Sequence, residues 1–251
     1  MAECSIKHVL SSMCLLWILL QIGCYNPTLP SPLKPENELR SILFIGNSHT
    51  YYNGGVDQEL LGLIRASEHS GFEEADRIAL GGFTLANHFK NAETLRRLES
   101  RPWDLVVLQE NTYEAYLHPE DLDDHIEPFF FKMFNSGAQF AFFMTWAYRD
   151  SSQMYPVLYD AYTRSSVTYY GQTIPVGEAW QTYHSGTSQV NLYDEDGVHP
   201  NPAGTFYTAL LFYSYLFREN PESSGYVPET IDVELANQLK IRAWNFYLDH
   251  L

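Results

Sequence analysis

The chain has 251 residues, 45% of them hydrophobic and 15% aromatic, enough for one large core and too few for two comfortable domains once an N-terminal segment is set aside. A formal net charge of −16 argues against nucleic acid as a partner, because phosphate binding needs basic patches, and against a polybasic membrane surface. The acidity selects no substrate, since an acidic surface is usually a well-solvated one.

In chain order, the first feature is a targeting segment. Lys7 and His8 precede an apolar stretch at 9–23, shorter than the roughly 20 residues a spanning helix needs, so residues 1–24 are expected to be a signal peptide. "LQIGC" at 20–24 resembles a bacterial lipoprotein signal, in which the cysteine is lipidated and becomes the new first residue. Gly23 fits that pattern, and Gln21 stands where an aliphatic residue is usual. On this reading Cys24 carries a lipid anchor on an extracytoplasmic protein, the one link to a membrane; the competing reading is plain secretion with cleavage nearby. Cys4, Cys14 and Cys24 are the only cysteines, so the rest of the chain has no disulfide framework and no cysteine metal site. Residues 25–38 hold four prolines and read as an extended tether.

From residue 39 onward, short apolar runs alternate with helical patterns. Strands are predicted at 41–46, 76–80, 103–109, 138–145 and 173–177, each continuously apolar and bounded by Gly, Pro or polar residues. Helices are predicted at 56–69, 84–99, 119–135, 152–170, 202–218 and 232–250. Strands alternating with helices imply an α/β three-layer sandwich around a doubly wound, five-stranded parallel sheet over 39–251. Such sheets carry their functional loops at the C-terminal ends of the strands.

"FIGNSHT" at 44–50 lies at such an end. Gly46 lets the chain turn tightly, and Ser48 can open the next helix at the rim of the sheet. By itself Ser48 is more plainly a helix cap. A nucleophilic serine needs a base and a group that orients the base. "LYDEDGVHPNPAG" at 192–204 offers Asp196 and His199 three apart in a polar loop, ahead of a helix start with Asn201 as cap and Pro202 in the first turn. That spacing lets a carboxylate fix the imidazole tautomer.

"FIGNSHT" after the first strand, "LGGFTL" after the second, "VVLQENT" after the third and "DGVHPNPAG" before a late helix resemble, in order, the four blocks of the SGNH hydrolases, the GDSL-like esterases and lipases. The resemblance spans residues 41 to about 218 and is nearest to bacterial secreted members whose first block reads G-N-S. It implies the flavodoxin-like fold of that superfamily. It also implies Ser48 as nucleophile and backbone oxyanion donor, His199 as general base, Asp196 as its orienting partner and Gly82, in preference to Gly81, as a second backbone donor. The third block departs from the usual G-x-N-D, reading Gln109, Glu110, Asn111, Thr112. A gapless alignment puts the side-chain donor at Asn111, whereas the strand-exit position favours Gln109.

Together these readings predict an extracytoplasmic serine esterase working through an acyl-enzyme, on short-chain or acetyl esters that include carbohydrate-linked ones. A lipase, a thioesterase and a non-catalytic carbohydrate-binding or scaffold protein on the same fold are the alternatives. Tyr51 and Trp146 are expected to line the substrate cleft; core packing is an equal reading of Trp146, and a structural role is the plainer one for Tyr51 and its neighbour Tyr52, while Trp180, Tyr183 and His184 are weaker candidates. No H-E-x-x-H, Walker or G-x-G-x-x-G sequence occurs, so no cofactor and no metal are expected.

Overall fold

The computed structural model describes residues 39–185 and 190–251; the expected signal peptide with Cys24, and the tether at 25–38, lie outside the described residues. Five strands, β1 (Ser41–Gly46), β2 (Glu74–Ala79), β3 (Leu105–Leu108), β4 (Gln139–Phe143) and β5 (Gln172–Ile174), form one parallel sheet in the order β2-β1-β3-β4-β5. The doubly wound sandwich expected from the sequence is therefore present, and the order reverses between β1 and β3.

Successive side chains of a strand point to opposite faces, and both faces here are covered. Ile42 and Phe44 of β1, Leu105 and Val107 of β3, and Ala141 and Phe143 of β4 enter one core. Leu43, Ile45, Val106, Leu108, Phe140 and Phe142 enter the other. This is why the central strands read as unbroken apolar runs.

The first layer contains α2 (Val56–Arg65), α8 (Val176–Ser185), α9 (Pro202–Phe217) and α10 (Val233–Asp249). Helix α9 is buried along nearly its whole length, as its apolar circumference requires. The second layer contains α3 (Leu85–Lys90), α4 (Ala92–Leu98), α6 (Leu122–Met133) and α7 (Met154–Tyr169). Two short helices, α1 (Ser48–Tyr51) and α5 (Thr112–Leu117), start where β1 and β3 end.

The elements differ from expectation in several places. The single helix expected at 84–99 is two, because Asn91 caps a new start by accepting from the N–H groups of Glu93 and Thr94. The strand expected at 173–177 stops at Ile174, before Pro175, which has no N–H for the ladder, and α8 follows at once. Helices α5 and α8 were not expected at all. Strand β2 begins at Glu74, earlier than the apolar run suggests. It is an edge strand whose acids pair with Arg97 and Arg101.

Candidate active site

Gly46 ends β1 with no room for a side chain. A Cβ there would lie 2.4 Å from Gln109 Oε1 and 2.6 Å from Thr50 Oγ1. The chain then turns through Asn47, whose Oδ1 accepts from His49 N–H at 3.2 Å and so caps α1. Ser48 is the first residue of that helix, and its N–H is among the donors that a helix start leaves without an intrahelical partner.

His199 approaches from a loop pinned at several points. Tyr193 and Pro200 form an antiparallel bridge at its base, and Asp194 N–H donates to His199 C=O at 2.8 Å. Arg149 N–H donates to Gly197 C=O at 2.9 Å, and Trp146 Nε1–H to Val198 C=O at 3.0 Å. Asn53 Nδ2 reaches across to Pro200 C=O at 2.8 Å and so ties this loop to the turn after the serine. The result is a continuous chain of hydrogen bonds: Ser48 Oγ to His199 Nε2 at 2.8 Å, and His199 Nδ1 to Asp196 Oδ2 at 2.5 Å.

Asp196 Oδ1 also accepts from Val198 N–H at 2.8 Å and His199 N–H at 2.9 Å. Burial works against its charge, but the ring of His199 and these two N–H groups outweigh it and hold the carboxyl down at about 2. An ionised Asp196 accepts a proton-bearing Nδ1, which leaves Nε2 with the lone pair facing the serine hydroxyl. Tyr52 stacks on the His199 ring, centroids 4.4 Å apart and planes 12° from parallel, and restricts its tilt.

The other two strand exits meet the first through side chains. Asn47 Nδ2 donates to Phe83 C=O at 3.0 Å, and Asn111 Nδ2 to Gly82 C=O at 3.3 Å. Gly82 has φ +73°, a conformation that glycine adopts at little cost, so the turn after β2 depends on it. Asn111 also caps α5, its Oδ1 accepting from the N–H groups of Tyr113 and Glu114. Asn111 and Gly82 thus lie side by side on the functional edge.

Gln109 is placed differently from the strand-exit expectation. It is 1% exposed; its Oε1 accepts from Asn47 N–H at 2.8 Å and Thr50 Oγ1–H at 3.0 Å, and its Nε2 donates to Glu110 C=O at 2.6 Å. Both ends of the amide are committed inside the fold, beneath the turn that Gly46 makes.

Trp146 is also a correction to the cleft expected from the sequence. It is fully buried, stacked on Trp180 at 3.9 Å, and serves the site from below through its bond to Val198. Trp180 and Tyr183 are core residues too, and the side chain of His184 lies outside the described residues. Tyr51 is half-buried with its hydroxyl beside Gly81, and Tyr52 lies against His199.

Three residues carry the local architecture without having been singled out in the sequence. His49 is buried 5.6 Å from the His199 ring and 4.8 Å from Trp146, and burial, then the nearby His199, lowers it to about 3. Glu110 and His125 form a second carboxylate–histidine pair at 2.8 Å. Their signal was faint, since each stands alone among polar neighbours. Among the described residues no group of three or more His, Cys, Asp or Glu is placed to hold a metal ion.

No family model and no curated protein sequence matches the chain. Solved structures do. A DUF4886 family protein from Bacteroides uniformis superposes with a TM-score of 0.69 at 19% identity, covering 83% of this chain and 95% of its own. A protein from Slackia heliotrinireducens, described as a candidate SGNH hydrolase, is 27% identical at a TM-score of 0.60, over 74% of this chain and 99% of its own. An acetyl xylan esterase from Geobacillus stearothermophilus is 14% identical at a TM-score of 0.58, over 76% and 97%.

Proposed function

We propose that this chain, which shares the fold of the SGNH hydrolases, is a member of that superfamily and a serine esterase that cleaves short-chain acyl esters, acetyl esters above all, through an acyl-enzyme on Ser48. One observation carries the reading: Ser48 Oγ, His199 and Asp196 make one unbroken hydrogen-bonded relay.

Ser48 Oγ attacks the ester carbonyl as its proton passes to His199 Nε2, and Asp196 stabilises the imidazolium that results. The carbonyl oxygen becomes an oxyanion, received by the N–H groups of Ser48 and Gly82 and by Asn111 Nδ2. Each such donor is typically worth about 3 kcal/mol of barrier. Collapse expels the alcohol, which takes the proton from Nε2. Water then gives its proton to His199, attacks the acyl-enzyme and releases the acid, and Ser48 recovers its proton.

The substrate proposal draws on the aromatic surroundings of the triad. Tyr52 is stacked on His199, Tyr51 lies beside Gly81, and Tyr113 is half exposed next to Asn111. Flat rings around this edge suit a small acyl group on a carbohydrate, the substrate class named for the Geobacillus protein. The purified protein should hydrolyse p-nitrophenyl acetate, and Ser48→Ala should lose at least about 10⁴ of that rate. Equal rates for the two proteins would remove the enzyme reading. In an acyl series, faster turnover of long chains than of acetate would replace the short-chain proposal with a lipase.

The esterase is placed outside the cytoplasm by the signal at 1–24 and held to a membrane through Cys24. Among the described residues no helix is long and apolar enough to cross a membrane. Cell fractionation should find the wild type with membranes and Cys24→Ser released; a wild type wholly in the soluble fraction would defeat the anchor.

A further inference from the structure

A carboxylate buried behind the candidate site has no part in the acyl-transfer steps. Glu110 is 1% exposed, and its carboxylate touches both loops that carry the proposed oxyanion donors. Oε1 accepts from Asn111 N–H at 2.6 Å. Both oxygens lie 3.2 Å from Leu85 N–H, at the start of the helix that the Gly82 turn leads into. His125, from α6, donates Nδ1–H to Oε2 at 2.8 Å and closes the cluster from behind. Tyr162 abuts the same residue, its hydroxyl accepting from Glu110 N–H at 3.3 Å.

We propose that Glu110, backed by His125, is a positioning pair for the oxyanion hole: its carboxylate fastens the Gly82 turn to Asn111 and so fixes the separation of two donors. The proposal rests on the serine-esterase reading of the same edge. A carboxylate suits the task because charge-assisted hydrogen bonds to backbone N–H groups are shorter and roughly twice as strong as neutral ones. The direct link between the loops, Asn111 Nδ2 to Gly82 C=O, is long at 3.3 Å and uses the same nitrogen that is to donate to the oxyanion. The Glu110 link survives the reaction, since it engages neither donor group itself.

An uncompensated negative charge next to Asn111 would oppose the oxyanion. His125 removes that objection. Burial raises the Glu110 carboxyl above its ordinary range, and the hydrogen bond to Glu110 raises His125 above its own. Both shifts favour a proton kept on the pair, which lessens the negative charge that the clamp brings to the site.

The test is a double-mutant cycle read as kcat and KM for p-nitrophenyl acetate. Glu110→Ala should lower kcat on the order of 10- to 100-fold with KM changed less than about twofold, because the interaction matters mainly in the transition state. Glu110→Gln, whose Oε1 can still accept from both N–H groups, should recover most of that loss. On an Asn111→Ala background, Glu110→Ala should cost less than about threefold, since the donor it positions is already gone.

Equal losses on both backgrounds, or no loss on either, would overturn the proposal, because a merely structural role is blind to Asn111. Should Glu110→Ala not accumulate as folded protein, His125→Leu, at a partly exposed position, carries the same comparison with the same deciding outcomes. Ser48→Ala run alongside separates the two levels. Full activity there overturns the esterase reading and the clamp with it, whereas an inactive Ser48→Ala with equal losses at Glu110 overturns the clamp alone.

Discussion

Asp196 and His199 sit three residues apart on a loop, with side chains 44% and 25% exposed, whereas Glu110 and His125 come from separate elements and are 1% and 18% exposed. The two pairs have the same chemical parts. In the first, hydrogen bonds hold the aspartate down at about 2, so the carboxylate stays charged and can stabilise an imidazolium that forms opposite it. In the second, burial raises the glutamate, so the pair tends to hold a proton and acts through geometry. The remaining partner decides the rest: His199 Nε2 faces a serine hydroxyl, and the Glu110 carboxylate faces backbone N–H groups. A carboxylate–histidine pair is therefore a part whose use is set by its third partner and its burial.

The sharpest way to break that comparison is to remove the imidazole from each pair. His199→Ala should lower kcat for p-nitrophenyl acetate by about 10⁴ or more, because the nucleophile loses its base. His125→Leu should cost roughly tenfold, since it disturbs only a positioning contact. Losses of similar size in the two variants, measured at saturating substrate, would mean that both pairs exchange protons with the reaction.

A smaller effect separates the two amides of the third block. Asn111→Ala should lower kcat on the order of 10²–10³ with little change in KM, as loss of one oxyanion donor does. Gln109→Ala should act first on stability. It leaves Asn47 N–H without its buried acceptor, an omission that costs about 1–3 kcal/mol. Thermal unfolding and kcat measured on both variants decide the matter. A Gln109→Ala protein of wild-type stability and sharply reduced kcat would return the donor role to Gln109.

The same residues indicate how far the sequence can be read. The sheet was legible because β1, β3 and β4 are buried on both faces, which writes them as plain apolar runs. Helix α8 was overlooked although Val176, Ala179, Trp180 and Tyr183 fall at helical spacing on its buried face; the preceding Pro175 and the polar residues between them masked the period. Ser48, Asp196 and His199 could be named because each stands in a short local block, and the fold then brings together the ends of the chain that carry them. Glu110 and His125 could not, since neither has a local pattern and their contact depends on how α6 packs beneath the strand exits. The direction of the Gln109 side chain was not legible for a related reason: a strand end gives a position in the sheet only, and here Gly46 leaves space that the amide occupies.

The smallest effect expected at neutral pH belongs to His49, which lies between Trp146 and His199 and extends the comparison to a histidine with no carboxylate partner. Its Nδ1 faces Asn47 Oδ1 at 3.3 Å, and the Val198 backbone also interacts with the ring. Burial, reinforced by His199, lowers it from 6.5 to about 3, against a weaker opposing pull from Asp196. A group whose folded pKa is depressed contributes stability that is complete above its unfolded value and is lost as pH falls through the folded one. For His49 that window runs from 6.5 down to about 3, whereas the Asp196 contribution disappears only between 3.8 and about 2. Between pH 7.5 and 4.5 the two are thus separable. His49→Phe fills the same aromatic slot and cannot be protonated, so its Tm should fall less over that interval than that of the wild type. Other titrating groups, the buried His88 among them, are common to both proteins and cancel in the difference. Parallel falls in Tm would mean that His49 gains a proton in the folded state at little cost, and that burial beside His199 is not what keeps it neutral.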